Sequence, residues 1–99
     1  DAMATYVMLA HFTDQGIKNI KDSPKRAEAF RQSAKKHGAT VRELYWTLGQ
    51  FDIVTIIDAP DEATMTALGL SLGTLGNVRT QTLRAFSEAE MTAIIGKMV

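Results

Sequence analysis

The run Phe51–Ile57 (FDIVTII) sets the tightest constraint on the fold, because its large apolar residues fall on both parities: Val54 and Ile56 on one side, Phe51, Ile53 and Ile57 on the other. Side chains alternate across a strand, so a run of this kind has two apolar faces. Thr5–Phe12 (TYVMLAHF) repeats the pattern, with Tyr6, Met8 and Phe12 set against Val7 and Leu9. Each large side chain left in water forfeits roughly 1.5–3 kcal/mol, so a sheet built from these strands has to be covered on both sides. The chain has 99 residues, enough for one core and too few for two.

The remaining elements follow from periodicity and punctuation. Thr13-Asp14-Gln15-Gly16 closes the first strand, and Ile17 and Ile20 suggest a short helical turn. Ser23-Pro24 reads as a cap with proline at the first helical position. Ala27, Phe30 and Ala34 then recur at helical spacing until Gly38. Val41–Leu48 (VRELYWTL) and Phe51–Ile57 flank Gly49-Gln50, which predicts a hairpin with a two-residue connection and a positive φ at its first turn residue.

Asp58-Ala59-Pro60-Asp61 breaks the strand pattern, and Met65, Leu68, Leu72 and Leu75 line a second helix. Gly69, Gly73 and Gly76 fall in or just after that helix, where an interior glycine costs up to about 1 kcal/mol; close approach to a sheet or partner is the expected compensation. Val78–Phe86 (VRTQTLRAF) makes a fourth strand. Ser87 and Glu90 have capping-box spacing ahead of Met91, Ile94, Ile95 and Met98 on one stripe.

The order is βαββαβ plus a terminal helix, over residues 3–99 as a single domain. Asp1-Ala2, ahead of Met3, reads as a remnant. Right-handed crossovers turn this order into an α+β ferredoxin-like sheet with helices on one face. A second copy is the simplest cover for the other face, giving a homodimer with a self-complementary two-fold pairing. The terminal helix folding back over the sheet is the alternative.

Composition narrows the functional classes. Eleven basic and eleven acidic residues cancel, so no net field draws the protein to nucleic acid or to an anionic membrane. The basic run Lys35-Lys36-His37 sits where it complements a helix dipole. The absence of cysteine excludes thiolate metal sites and thiol nucleophiles. No apolar run reaches the ~20 residues needed to span a bilayer, and no secretory signal is read, so a cytoplasmic location is expected. His11 and His37 lack metal-ligand spacing, and no nucleophile elbow or glycine-rich phosphate loop occurs, so neither metal nor cofactor is expected.

The antiparallel topology brings the end of the first strand beside the beginnings of the third and fourth. His11, Trp46, Thr47, Asp52, Asn77, Arg79 and Gln81 therefore approach one edge of the sheet, divided between its faces by alternation. His11 is a candidate for proton transfer, tuned by Asp52 or Arg79, or a strand-end histidine bonded to backbone. Asp52 either orients His11 or satisfies turn N–H groups. Arg79 offers a planar fork to a carboxylate, or an ion pair between subunits. Thr47, Trp46, Asn77 and Gln81 complete the candidate ligand-binding set.

Three strings carry a family resemblance: Phe12-Thr13-Asp14-Gln15-Gly16, Tyr45-Trp46-Thr47-Leu48-Gly49-Gln50-Phe51-Asp52 and Leu75-Gly76-Asn77-Val78-Arg79-Thr80-Gln81-Thr82-Leu83. They resemble the GYD-domain family, although Phe51 stands where many members have tyrosine. The resemblance implies a small bacterial or archaeal protein of the dimeric α/β-barrel group and brings no reaction with it. A looser similarity, through Gly49-Gln50-Phe51-Asp52 and Gly76-Asn77-Val78, is to the ligand-binding effector domains of Lrp/AsnC-type regulators, which sense amino acids at subunit interfaces.

Three functions are compatible with these residues. The first is a binding module holding a small carboxylate or amino-acid-like metabolite at the dimer interface, with Arg79 on the carboxylate. The second is a cofactor-independent monooxygenase, isomerase or cyclase with His11 moving a proton; a haem-degrading variant would use Asn77, Trp46 and His11. The third is a structural, oligomerising protein.

Overall fold

The computed structural model describes residues 3–99, so the reading of Asp1-Ala2 lies outside the described residues. Strands β1 (Ala4–Phe12), β2 (Thr40–Trp46), β3 (Ile53–Ala59) and β4 (Val78–Ala85) form one sheet in the order β2-β3-β1-β4, every neighbour antiparallel. Helices α1 (Asp14–Lys18), α2 (Ser23–Lys36), α3 (Glu62–Thr74) and α4 (Glu88–Ile95) complete the expected βαββαβ-plus-helix order, with a 3₁₀ turn at Ile20–Asp22. This is the ferredoxin-like arrangement.

Alternation decides which side of the sheet becomes the core. Tyr6, Met8 and Ala10 of β1, Thr55, Ile57 and Ala59 of β3 and Val78 of β4 are buried, together with Ala27, Phe30 and Ala34 of α2 and Met65 and Leu68 of α3. Val7, Leu9, Val54 and Ile56 take the opposite parity and stay half-exposed.

The terminal helix does not fold back over that second face. A capping box starts α4, with Glu90 N–H donating to Ser87 Oγ at 3.1 Å and Ser87 N–H donating to Glu90 Oε1 at 2.8 Å. An Arg84–Glu90 ion pair at 3.6 Å ties its first turn to β4, and no other element packs extensively on it. Met91, Ile95 and Met98 are left exposed. The Cα radius of gyration, 14.7 Å, accordingly exceeds the ~13 Å of a compact chain of this length.

Four local expectations need correction. The β2–β3 connection is longer than two residues: the strands end at Trp46 and Ile53, and Thr47 N–H donates to Asp52 O at 2.8 Å to close a wider loop. Gly49 carries the positive φ expected there, +121°. Ser23 is not the cap of α2, because the 3₁₀ turn runs straight into the helix with Asp22 at the cap position and no side-chain bond; Ser23 Oγ instead accepts the Trp46 indole N–H at 2.9 Å. Leu75 lies just past α3 and is exposed.

The α3 glycines do not mark a close approach within the chain. A methyl on Gly69 would meet Thr80 Oγ1 at an ordinary 3.7 Å, and one on Gly73 would meet nothing within 4 Å. The tight position is Gly16 of α1. A methyl there would overlap the Asn77 carbonyl oxygen and lie 3.0 Å from its carbon, because Asn77 O accepts the Thr13 N–H at 3.0 Å and holds α1 against the start of β4.

Candidate functional site

The β1–β4 register places His11 directly opposite Arg79, and Leu9 opposite Gln81. Arg79 and Gln81 are two residues apart on one strand, so His11, Arg79 and Gln81 share one end of the open face, all three exposed. Phe51, in the β2–β3 loop, brings its ring to 4.6 Å from the His11 imidazole at an interplanar angle of 32°.

Asp52 is close in sequence to this group, but its carboxylate has another task. Oδ2 accepts the Phe12 N–H at 2.9 Å while the Asp52 N–H donates to Ala10 O at 2.9 Å, so the residue fastens the loop to β1. No hydrogen bond joins it to His11 among the described residues. Thr47 works inside the same loop, donating from Oγ1 to Phe51 O at 2.6 Å. The loop is thus held from both sides, and Leu48 at its tip is fully exposed.

The two other candidates lie on the helical side of the sheet. Trp46 faces Ser23 of α2. Asn77 Oδ1 accepts from Gln15 Nε2 at 3.0 Å beside α1. The candidate set therefore divides into His11, Arg79 and Gln81 on the open face, Thr47 and Asp52 as loop clamps, and Trp46 and Asn77 among the helices.

Between its ends the open face is apolar. Val7, Leu9, Val54 and Ile56 run across its middle, flanked by Leu83 and Tyr45, which are 44% and 55% exposed. The far end is polar again: Asp58 Oδ1 accepts from Thr5 Oγ1 at 2.9 Å and pairs with Arg42 at 3.5 Å. The Tyr45 hydroxyl donates to Glu43 at 2.9 Å, and that hydrogen bond, aided by the carboxylate charge, raises its pKa above the usual phenol value. Among the described residues, no cluster of three or more His, Asp or Glu side chains is placed to hold a metal ion, and no helix is long and apolar enough to cross a membrane.

This geometry offers apolar area for burial together with a guanidinium, an amide and an imidazole at one end. The Phe51–His11 contact is not legible in the sequence, where Phe51 reads as the first residue of a strand; its one signal is an aromatic residue shortly after a glycine turn.

The GYD domain family matches residues 6–95. A protein of Thermus thermophilus, named glutamine synthetase and cystathionine beta-lyase binding protein, is 33% identical over 92 residues, which cover 92% of this chain and 97% of that protein. No solved structure matches the chain. The quoted strings around Gly16, Gly49 and Gly76 all lie within the matched span, and the chain belongs to the GYD-domain family.

Proposed function

We propose that this chain is a non-catalytic binding protein that acts through surface contact with other polypeptides, the first of them a second copy of itself across the open sheet face. The observation that carries the reading is the apolar middle of that face, Val7, Leu9, Val54, Ile56 and Leu83, which the chain's own terminal helix leaves uncovered. Full burial of such side chains contributes up to roughly 1.5–3 kcal/mol each, and a self-complementary two-fold pairing achieves it with one surface. Met91 and Ile95 on α4, with Met98 just beyond its end, add a second exposed apolar stripe beyond the sheet. The relative's name records binding to two metabolic enzymes, and the same class of partner is proposed here.

Sedimentation equilibrium of the wild type and of Leu83→Glu tests the first contact. Leu83 is half-exposed, so the variant keeps its fold; a dimer that becomes a monomer is the expected result, and a wild type monomeric at high concentration overturns the pairing. Size-exclusion runs with glutamine synthetase and with cystathionine β-lyase from the same cells test the second contact. Failure to co-migrate with either enzyme refutes that class of partner.

A second reading rests on His11, Arg79 and Gln81 at one end of the open face. A small carboxylate or amino-acid-like metabolite would bind there between copies, with the guanidinium as its anchor. Ligand at 100 times its Kd stabilises a fold by about 2.7 kcal/mol, so a melting-temperature screen of amino and keto acids that shifts nothing counts against it.

A further inference from the structure

On the opposite side of the sheet from the proposed contact surface, a cavity of about 460 Å³ lies between β1, β3 and the helices α2 and α3. That is within the ~300–1,000 Å³ typical of small-molecule sites. Its wall is largely apolar, with Met8, Phe12, Phe30, Ile53, Leu68 and Leu72 contributing. Among the residues lining it, Arg26 of α2 is the one that carries a charge.

Arg26 is half satisfied. Its Nη1 donates to Asn19 O at 2.8 Å, whereas Nη2 is buried and has no hydrogen-bond partner among the described residues. None of the three ion pairs among the described residues involves it. A buried N–H on a charged group is costly when unpartnered, and a guanidinium offers a planar fork that a carboxylate fits. Ser23 lies one helical turn earlier on the same face of α2 and also lines the cavity. Its oxygen accepts the Trp46 indole N–H, which leaves its own hydroxyl hydrogen available to donate.

From an apolar chamber with a single cation and a serine hydroxyl one helical turn from it, we infer that the space between sheet and helices is a binding site for an amphiphilic monocarboxylate, its apolar body among Met8, Phe12, Phe30 and Leu68 and its carboxylate on the Arg26 guanidinium. One unpaired cation balances one negative charge, so dianions are disfavoured. An alcohol of the same shape lacks the negative charge and the second acceptor oxygen, and a cationic head group meets the guanidinium with repulsion. The site needs neither a second copy nor the open face.

Octanoate, 1-octanol and octylammonium, titrated against the full chain, distinguish these heads. Trp46 is the one tryptophan, and its bond to Ser23 makes its fluorescence a reporter of the cavity; calorimetry confirms the affinities. A hydrogen bond to a charged group is worth a factor of roughly ten to a hundred. Octanoate is expected to bind at least tenfold tighter than octanol, with octylammonium weakest.

Arg26→Met should abolish the preference for octanoate over octanol while leaving octanol affinity unchanged, and Arg26→Lys should restore part of it. Ser71→Phe, at an exposed position on the cavity wall, should weaken both ligands without loss of helical circular dichroism. Equal binding of octanoate and octanol, a preference that survives Arg26→Met, or no octanoate binding at its highest soluble concentration each overturns the inference. A monomeric chain that still discriminates octanoate would refute the surface pairing and leave this site standing.

Discussion

Substituting Gly16 by alanine sets two physical effects against each other with opposite signs. Alanine is the better helix former by up to about 1 kcal/mol, and on propensity alone Gly16→Ala would stabilise α1. The added methyl, however, would overlap the Asn77 carbonyl oxygen and press on the Phe12 ring at 3.3 Å. The carbonyl cannot move aside freely, since it accepts the Thr13 N–H, and Thr13 Oγ1 also donates to Gly76 O at 2.6 Å. Overpacking costs about 1–3 kcal/mol. Losing the Thr13–Asn77 bond adds about 0.5–1.5 kcal/mol, or more if the N–H is left buried and unpaired. The clash wins: a net destabilisation of about 2 kcal/mol is expected, with about 0.5 as the floor. Urea unfolding followed by circular dichroism measures it. Gly73→Ala serves as the control, because open space surrounds that position, and it should gain up to about 1 kcal/mol. A Gly16→Ala protein as stable as the wild type would refute the wedge, and a destabilised Gly73→Ala would show that something outside the single chain rests on α3.

Trp46→Phe removes the indole donor from Ser23, which is 5% exposed, and should lower stability by about 1 kcal/mol; an unchanged urea midpoint would show that the bond contributes nothing. Acid should fray the helices. Backbone N–H bonds from Thr64 to Asp61 and from Ser87 to Glu90 hold both carboxyls below the usual carboxylate pKa. Depressed folded values mean the stabilisation is complete above the ordinary carboxylate range and disappears as pH falls through the lowered values. Helical circular dichroism should therefore drop on acidification below about pH 4, with the drop reduced in Asp61→Asn; a profile that rises toward low pH would contradict the sign.

Much of the architecture is legible because strand parity is a local property. Tyr6 and Met8 against Val7 and Leu9, or Ile57 against Ile56, assign the two faces of the sheet with no knowledge of its partners, and the structure keeps each assignment. Parity says nothing about where a strand stops. Phe51 has the right character for the ladder, yet it leaves it to meet His11, and the hairpin lengthens accordingly. Ser23 looks like a helix cap by its neighbours, but a tryptophan far along the chain claims its hydroxyl. Topology brings the candidate residues to one end of the sheet, and alternation then divides them. The chamber around Arg26 has no counterpart in the sequence, since its existence depends on how far α2 and α3 stand from the sheet.

The loop that joins β2 to β3 is pinned twice, by Thr47 to Asp52 and by Thr47 to Phe51, while Asp52 anchors it to the neighbouring strand. Its summit, Leu48, is open to solvent on all sides among the described residues. An aliphatic peg on so stiff a mount has surrendered most of its backbone freedom before anything touches it. A socket that receives it recovers the gain from burial with little ordering left to oppose it.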